Sequence, residues 1–215
     1  MYLSWDKRTI SDFSDKNINS LYENGFLFTR QGKGEIYQTR SLRIDLSKFE
    51  LNSENRRVLR HVENIKLEVY AIPYADYHWN VHKLGKDFYE TKFGEKTFSA
   101  QKIKELITDP EKSNFDKLLV YKEEKNAVGY AICKETEKLL HYCYPFYDLN
   151  SEIKNLGLGM MTKAIDWAKE QNKKYVYLGS ASRPTDTYKL QFAGVEWFDG
   201  KTWQTDLEKL KKEIK

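Results

Sequence analysis

The spacing of apolar and polar residues predicts a strand, a turn, a helix and a second strand in the C-terminal half of the chain. Residues 138–147 are rich in aromatic and apolar side chains, as in a buried strand, and a helix-like run follows Gly159. Residues 175–179 form the second short strand. Elements in this order make a βαβ unit, whose two strands usually lie parallel.

Further strands precede this unit. Residues 117–123 and 127–133 are apolar runs separated by a short polar turn, which predicts a hairpin. Three antiparallel strands therefore lead into the helix, and the order βββαβ predicts an α+β fold with a mixed sheet flanked by helices. Before them, residues 78–93 and 100–107 carry two helical patterns joined around Gly94.

The N-terminal part predicts a helix followed by a hairpin. The helix has Ser14 or Asp15 as its N-cap and ends at Gly25. Two runs that form a hairpin follow, at residues 26–31 and 35–46, with glycines between them, and the second alternates polar and apolar residues. The chain thus begins with an αββ extension.

The last part of the chain predicts a hairpin and a helix, and no sharp sequence feature marks a domain boundary. An Asp-Gly turn between aromatic-rich runs predicts another hairpin, and residues 204–215 predict a basic amphipathic helix. No Gly/Ser-rich linker divides the chain. We place a boundary near residue 110, between residues 1–110 and 111–215, with one continuous domain over residues 1–215 as the alternative.

Composition permits a folded core and excludes several classes of protein. The chain of 215 residues is 40% hydrophobic and contains 15 Tyr, 11 Phe and 5 Trp, which is ample for a core. It has no apolar stretch of ~20 residues, and residues 1–6 lack secretory-signal character, so we expect a cytoplasmic protein without a membrane span. Cys133 and Cys143 fall in adjacent predicted strands and predict buried thiols. Neither the cysteines nor the histidines have metal-ligand spacing, so no metal is expected.

The net charge of +4 conceals one strongly basic segment, at residues 53–61. Ser53 is placed to cap a helix, and Arg56 and Arg60 stand one turn apart with Arg57 beside them. Such a run is often a solvated helix face. It also suits phosphate binding, because guanidinium groups present a fork of hydrogen-bond donors. Composition leaves both interpretations open.

Two glycines stand between the strand and the helix of the βαβ unit, in the pattern Lys154-x-x-Gly157-x-Gly159. A glycine-rich turn that opens a helix exposes backbone N–H groups at the positive end of the helix dipole, which suits a phosphate or a developing oxyanion. Together with the βββαβ order, the pattern resembles the GNAT acyltransferase fold, whose pyrophosphate loop is commonly Arg/Gln-x-x-Gly-x-Gly/Ala. We therefore expect a GNAT-like mixed sheet with the αββ extension at its N-terminal side.

Several flanking motifs extend this resemblance over most of the chain. They are residues 25–26, 41–49, 53–60, 146–148, 155–157, 175–179 and 188–192. In this order they resemble the arginyl-tRNA–protein transferase family, which includes bacterial leucyltransferases. The resemblance implies an enzyme that moves an amino acid, arginine or leucine, from charged tRNA to a protein N-terminal α-amine, often that of an acidic residue. It implies aminoacyl-tRNA as the donor substrate and no resident cofactor.

The chain departs from that family in its cysteines. The family usually has an N-terminal cysteine cluster, associated in some members with an iron–sulfur or zinc site, and a cysteine-bearing segment after the Tyr-Leu-Gly strand. Here residues 31–39 and 180–187 contain no cysteine. Metal regulation of that kind is not expected, and a changed donor or acceptor specificity stays open.

Aminoacyl transfer to an amine requires an aligned ester, a neutral amine, a stabilised oxyanion and a proton for the departing ribose hydroxyl. We predict that Asp148 orients or deprotonates the amine, and the alternative is a turn or N-cap residue. Tyr147 and Tyr188 are the predicted hydrogen-bond donors to the oxyanion or the leaving oxygen, with structural roles as the alternative.

The other predicted site residues contact the donor or the acceptor through basic, polar or backbone groups. They are Arg43, Ser53, Arg56, Arg57, Arg60, Lys154, Leu156, Gly157, Leu158, Gly159 and Lys189. The predicted partners are an aminoacyl-tRNA and a protein N-terminus, without a membrane. Two other functions stay open: a GNAT N-acetyltransferase that uses acetyl-CoA, and a non-catalytic module that binds protein N-termini or tRNA.

Overall fold

A computed structural model describes residues 3–214 of the chain. Two predictions extend beyond these residues. Residues 1–2 belong to the segment expected to lack a secretory signal, and residue 215 is the last residue of the predicted C-terminal helix. Within residues 3–214, no helix combines the length and the apolar character that crossing a bilayer requires.

Runs of one to three strands are separated by helices along the described part of the chain. The strands are β1 (Asp6–Thr9), β2 (Phe26–Phe28), β3 (Glu35–Gln38), β4 (Ser41–Asp45), β5 (Ile65–Ala71), β6 (Lys117–Glu123), β7 (Asn126–Glu135), β8 (Leu139–Tyr147), β9 (Tyr175–Ser180), β10 (Val195–Phe198) and β11 (Trp203–Gln204). The α-helices are α1 (Asp15–Glu23), α2 (Ser53–His61), α3 (Trp79–Phe93), α4 (Ala100–Thr108), α5 (Leu156–Glu170) and α6 (Leu207–Glu213), and a 3₁₀ helix covers Pro184–Gln191.

Most strands belong to one mixed sheet, with the order β11-β10-β4-β9-β8-β7-β6-β5. The strands β1, β3 and β2 form a small antiparallel sheet in that order. β8 pairs in parallel with β9, with Leu139 opposite Tyr175, which confirms the predicted βαβ unit. β6 and β7 form the predicted antiparallel hairpin. The α+β class with a large mixed sheet and flanking helices is as predicted.

The chain divides into two compact units, each built from several segments. The first comprises Met1–Ser53, Glu135–His141 and Trp167–Lys215, and the second comprises Glu54–Lys134 and Tyr142–Asp166. Residues on both sides of position 110 belong to the second unit. The domain boundary near that position, and its single-domain alternative, stay predictions about independently folding parts.

The run at residues 35–46, predicted as one strand, consists of two strands in different sheets, so that prediction is wrong. Thr39 and its neighbour separate β3 from β4. Thr39 Oγ1 donates to the carbonyl oxygen of Leu3 at 2.7 Å, and Ser41 Oγ donates to that of Gly25 at 2.7 Å. These side-chain hydrogen bonds fix the point where the chain leaves the small sheet, whereas the polar–apolar alternation continues through it.

The ends of α1 follow local capping rules, whereas the predicted cap of α2 does not. Ser14 Oγ accepts the N–H of Asn17 at 3.4 Å and caps α1 as predicted. Gly25, which follows that helix, has a φ of +77°, in the left-handed region that favours glycine. Ser53 is the exception, because α2 begins at Ser53 itself and the predicted cap therefore lies within the helix. The pattern also gives no sign of β1, since this polar edge strand has no apolar alternation.

In the first unit, Arg43 of β4 is enclosed by aromatic rings and a carboxylate. Its guanidinium carbon lies 4.0 Å from the ring centroid of Tyr175 and 3.9 Å from that of Trp203. It pairs with Glu196 at 2.8 Å, and the two side chains are only 9% and 10% exposed. Loss of one member of such a pair leaves an uncompensated buried charge, which strongly destabilises a fold.

We expect Arg43→Met to destabilise the protein by about 3 kcal/mol, because Glu196 loses its main partner. Lys48 also pairs with Glu196, at 3.1 Å, but its side chain is 58% exposed and compensates only in part. Denaturant unfolding measures the change. Arg43→Met/Glu196→Met should recover most of the loss. Lys211→Met, which breaks an exposed pair with Glu208, should cost at most about 0.5 kcal/mol. An Arg43→Met protein as stable as the unmodified chain contradicts the prediction.

Candidate active site

In the second unit, β8 carries Asp148 to the end of the sheet. The Asp148 N–H still donates to the Val128 carbonyl oxygen of the neighbouring strand at 3.0 Å. Its Oδ1 accepts the N–H of Asn150 at 2.9 Å, which closes an Asx turn. Its Oδ2 accepts no hydrogen bond from residues 3–214. Asp148 is therefore a turn residue, as the alternative interpretation has it, with one carboxylate oxygen left for a ligand.

Asp148 also lines a cleft of about 340 Å³ in the same unit. One wall is a face of α3, and the others come from β7 and the turn after β8. The lining residues are Asn80, Lys83, Leu84, Asp87, Ala127, Tyr130, Asp148 and Asn150. Burial raises the pKa of Tyr130 to about 12, so its phenol is neutral at physiological pH. Ligand pockets span ~300–1,000 Å³, and this cleft is at the small end of that range.

Charged groups of both signs line this cleft. Lys83 and Asp87 form an ion pair at 2.5 Å across one turn of α3, and Asp148 adds a second carboxylate. Sequence reasoning did not identify the α3 residues as part of a site. Their spacing of three, four and seven residues from Asn80 marks one face of a helix, and an ordinary solvated face has the same spacing.

Tyr147 packs against the beginning of α5. A Cβ atom on Gly157 would lie 2.7 Å from Tyr147 Cε1 and 2.8 Å from its hydroxyl oxygen, so this contact requires glycine. The Tyr147 ring centroid is also 4.8 Å from that of Phe88. Burial raises the pKa of Tyr147, which keeps the hydroxyl protonated and able to donate. The structure therefore brings the predicted donor Tyr147 to the predicted glycine turn.

Both glycines of the turn lie inside α5, which begins at Leu156. The carbonyl oxygen of Asn155, a residue with a φ of +59°, accepts the N–H of Gly159 at 2.8 Å. The N–H groups of the first three helical residues precede this bond and point out of the positive end of the helix dipole. Gly159 has a packing role too, since its Cβ would lie 2.5 Å from Val62 Cγ1.

The C-terminal end of α2 also meets the beginning of α5. His61 Nδ1 lies 3.2 Å from Asn155 Nδ2. Arg60 and Lys154, each adjacent in sequence to one of these two residues, are exposed and form no ion pair with residues 3–214. The structure thus brings two of the predicted basic residues to the same surface.

The other two arginines of α2 are exposed as well. The guanidinium of Arg57 donates to both carboxylate oxygens of Glu54, at 2.6 and 2.7 Å. Arg56 stands beside it on the helix. An exposed pair such as Arg57–Glu54 contributes little to stability, and the phosphate contacts assigned to Arg56 and Arg57 stay predictions.

Four predicted site residues belong to the first unit: Arg43, Ser53, Tyr188 and Lys189. Arg43 has the internal partners described above, whereas Ser53 and Tyr188 are exposed. Lys189 Nζ donates to the Ser180 carbonyl oxygen at 3.1 Å and pairs with Asp186 at 3.5 Å. Burial lowers the pKa of Lys189. The substrate contacts assigned to these four residues stay predictions.

Comparison with known proteins identifies relatives along most of the chain. The family model described as arginine-tRNA-protein transferase, C terminus, matches residues 68–199, more than half of the chain. An aspartate/glutamate leucyltransferase of Saccharophagus degradans is 24% identical over 208 residues, covering 89% of this chain and 84% of that protein. One of Dinoroseobacter shibae is 23% identical over 215 residues, covering 90% of this chain and 73% of that protein.

Solved structures support the fold. The C-terminal domain of a protein described as a lysylphosphatidylglycerol synthetase of Agrobacterium fabrum matches with a TM-score of 0.50 at 13% identity, covering 78% of this chain and 52% of that one. A GCN5-related glucosamine N-acetyltransferase region of a fungal β-N-acetylglucosaminidase also has a TM-score of 0.50, at 11% identity, covering 92% of this chain and 23% of that one. The predicted GNAT-like fold is confirmed.

We expect Gly157→Ala to destabilise the protein by about 1–3 kcal/mol, because the added methyl group meets the Tyr147 ring. In a Tyr147→Ala background the same change should be neutral or stabilising, since the ring is absent and alanine favours a helix. Denaturant unfolding of the four proteins measures this double-mutant cycle. An equal loss in both backgrounds would show that the ring does not limit position 157.

Proposed function

The chain belongs to the arginine-tRNA-protein transferase family, and from this membership we propose that it transfers an amino acid from a charged tRNA to a protein N-terminal α-amine. The enzyme is an aminoacyltransferase, as its named relatives are. The proposed donor is leucyl- or arginyl-tRNA, and the proposed acceptor begins with aspartate or glutamate. The relatives' name, aspartate/glutamate leucyltransferase, supports leucine and an acidic acceptor, and the family description supports arginine.

The observation that carries the proposal is that Asp148 lines the cleft and directly follows Tyr147, whose ring contacts Gly157 in the first turn of α5. A protein α-amine has a pKa of ~7.7–8.0 and is largely protonated at neutral pH. In the proposed mechanism, Asp148 orients the ammonium group and takes its proton, directly or through a water molecule. Oδ2 is the oxygen for this task, because Oδ1 holds the Asx turn.

In the proposed mechanism, the beginning of α5 acts on the aminoacyl ester. The amine nitrogen attacks the ester carbon, a C–N bond forms, and the carbonyl oxygen becomes an oxyanion. The first N–H groups of α5 and the Tyr147 hydroxyl donate hydrogen bonds to that oxygen. The C–O bond to the terminal ribose then breaks as the nitrogen loses its second proton. The leaving oxygen receives one of the two protons that the ammonium group has lost, and the other is released to solvent. Because the ester is already activated, the chain supplies no covalent nucleophile, and alignment contributes much of the rate.

Two donor classes are consistent with the helix terminus. The GNAT-like fold and the Lys154-x-x-Gly157-x-Gly159 pattern favour acetyl-CoA as the second candidate. Labelled leucyl-tRNA, arginyl-tRNA and acetyl-CoA, each incubated with the protein and a peptide beginning with aspartate, separate the candidates. Transfer from an aminoacyl-tRNA supports the proposal, and transfer from acetyl-CoA alone rejects it. A protein that binds these compounds without transfer is the non-catalytic module.

We expect Asp148→Asn to lower kcat by about 100-fold or more, because it removes the proton acceptor while asparagine can still close the turn. The deficit should narrow as the pH rises above ~8, where the free amine is already neutral. Steady-state transfer rates between pH 6.5 and 9 provide the measurement. Asp109→Asn is the matched control, since Asp109 closes a similar turn with Glu111 N–H at 3.0 Å. A pH-independent deficit, or none, removes Asp148 from the proton transfer.

The exposed Arg60 and Lys154 are the proposed contacts for acceptor-stem phosphates. Each lost phosphate contact should make the plot of log K for tRNA binding against log salt concentration less steep, by roughly 0.7–0.9 in slope, because fewer counterions are released. We therefore expect Arg60→Ala and Lys154→Ala each to weaken tRNA binding and flatten that slope. Lys104→Ala, at an exposed position of α4, is the control. Slopes unchanged from the unmodified protein would place the tRNA elsewhere.

A further inference from the structure

Within the described residues, Lys83 is the one cation that lines the cleft. Its ammonium group pairs with Asp87, and the two side chains are 57% and 50% exposed. An exposed pair with this helical spacing contributes little to the stability of the fold. Lys83 is therefore held at the cleft by Asp87 and remains able to bind another carboxylate.

The charges of the cleft suit a ligand that carries both signs. Lys83, Asp87 and Asp148 together leave one negative charge, which repels a simple anion. An N-terminal aspartate or glutamate brings an ammonium and a carboxylate on one residue and has no net charge at these two groups. Such a residue is complementary to Asp148 and Lys83 at the same time.

Resting on the proposed function, we infer that Lys83 selects acceptors with an acidic first residue, by binding its side-chain carboxylate while Asp148 holds the α-amine. Lys83 and Asp148 line the same cleft, whose volume is about 340 Å³, at the small end of the range for ligand pockets. A lysine ammonium has three N–H donors, and Asp87 is the partner of one. The remaining donors bind the substrate carboxylate.

The chemistry of lysine also explains why acceptors that begin with either aspartate or glutamate would bind. Its four-carbon stem is flexible and its charge is compact, so it reaches the carboxylate of aspartate and that of glutamate, which is one methylene longer. Asparagine and glutamine have the same sizes but cannot form a charge-assisted pair. Selection therefore acts on the charge of the first side chain more than on its length.

The test uses four peptides that are identical except for the first residue, which is Asp, Asn, Glu or Gln. We expect Lys83→Met to lower kcat/KM for the acidic peptides by about 10- to 100-fold, the range for a lost hydrogen bond to a charged group. For the peptides that begin with Asn or Gln, kcat/KM should change by less than about 3-fold, so the preference for an acidic first residue is largely lost. Lys83→Arg, which keeps the charge, should retain most of the preference.

Lys86→Met is the matched control. Lys86 pairs with Glu90 at 3.5 Å, with the same helical spacing on α3, and it is not among the residues that line the cleft. Its loss should leave both peptide classes unchanged. If transfer occurs and Lys83→Met keeps the preference for acid, the role of Lys83 is overturned and the proposed function stands. If no aminoacyl-tRNA supports transfer to any peptide, the proposed function itself fails, and calorimetric titration of the four peptides still decides whether Lys83 binds the acidic ones.

Discussion

The contact between the Tyr147 ring and Gly157 is the constraint on which the candidate site depends. The ring fills the space that a Cβ atom at position 157 would need, so α5 begins close to the end of β8, and the chain turns at the residue after Tyr147. That residue is Asp148, whose carboxylate closes the turn and lines the cleft. The groups assigned to the oxyanion thus meet at this packing contact, and the group assigned to the amine belongs to the next residue along the chain.

The glycines of this turn have a packing role that a phosphate-loop pattern does not require. Gly157 makes room for Tyr147, and Gly159 makes room for Val62. Both lie within α5, so the groups that face a ligand are the N–H groups of an ordinary helix terminus. A phosphate and an oxyanion bind such a terminus equally well, and the glycine pattern alone does not choose between a CoA donor and an aminoacyl ester. The choice depends on the family membership.

The sequence predicts elements well where one local rule decides them. Apolar spacing locates α5 and its flanking strands, and Ser14 and Gly25 mark the ends of α1. It fails between β3 and β4, because alternation does not record that the chain changes sheets. It also does not identify the cleft, since Lys83 has the spacing of a solvated helix residue and becomes part of a site only when β7 and the turn after β8 face it.

Basic residues illustrate the same limit, because their charge predicts a partner without identifying it. Lys189 belongs to the family-like motif of residues 188–192. Its ammonium group donates a hydrogen bond to the Ser180 carbonyl oxygen and forms an ion pair with Asp186. Burial, and secondarily the charge of Lys189, lowers the pKa of His141 to about 3, so His141 is neutral at physiological pH. The contacts of Lys189 with Ser180 and Asp186 hold the segment that follows β9. A substrate that reached Lys189 would have to displace them, whereas the exposed Arg60 and Lys154 have no such internal partners within the described residues. Lys189 therefore already has internal partners, whereas Arg60 and Lys154 are exposed basic residues that form no ion pair with residues 3–214.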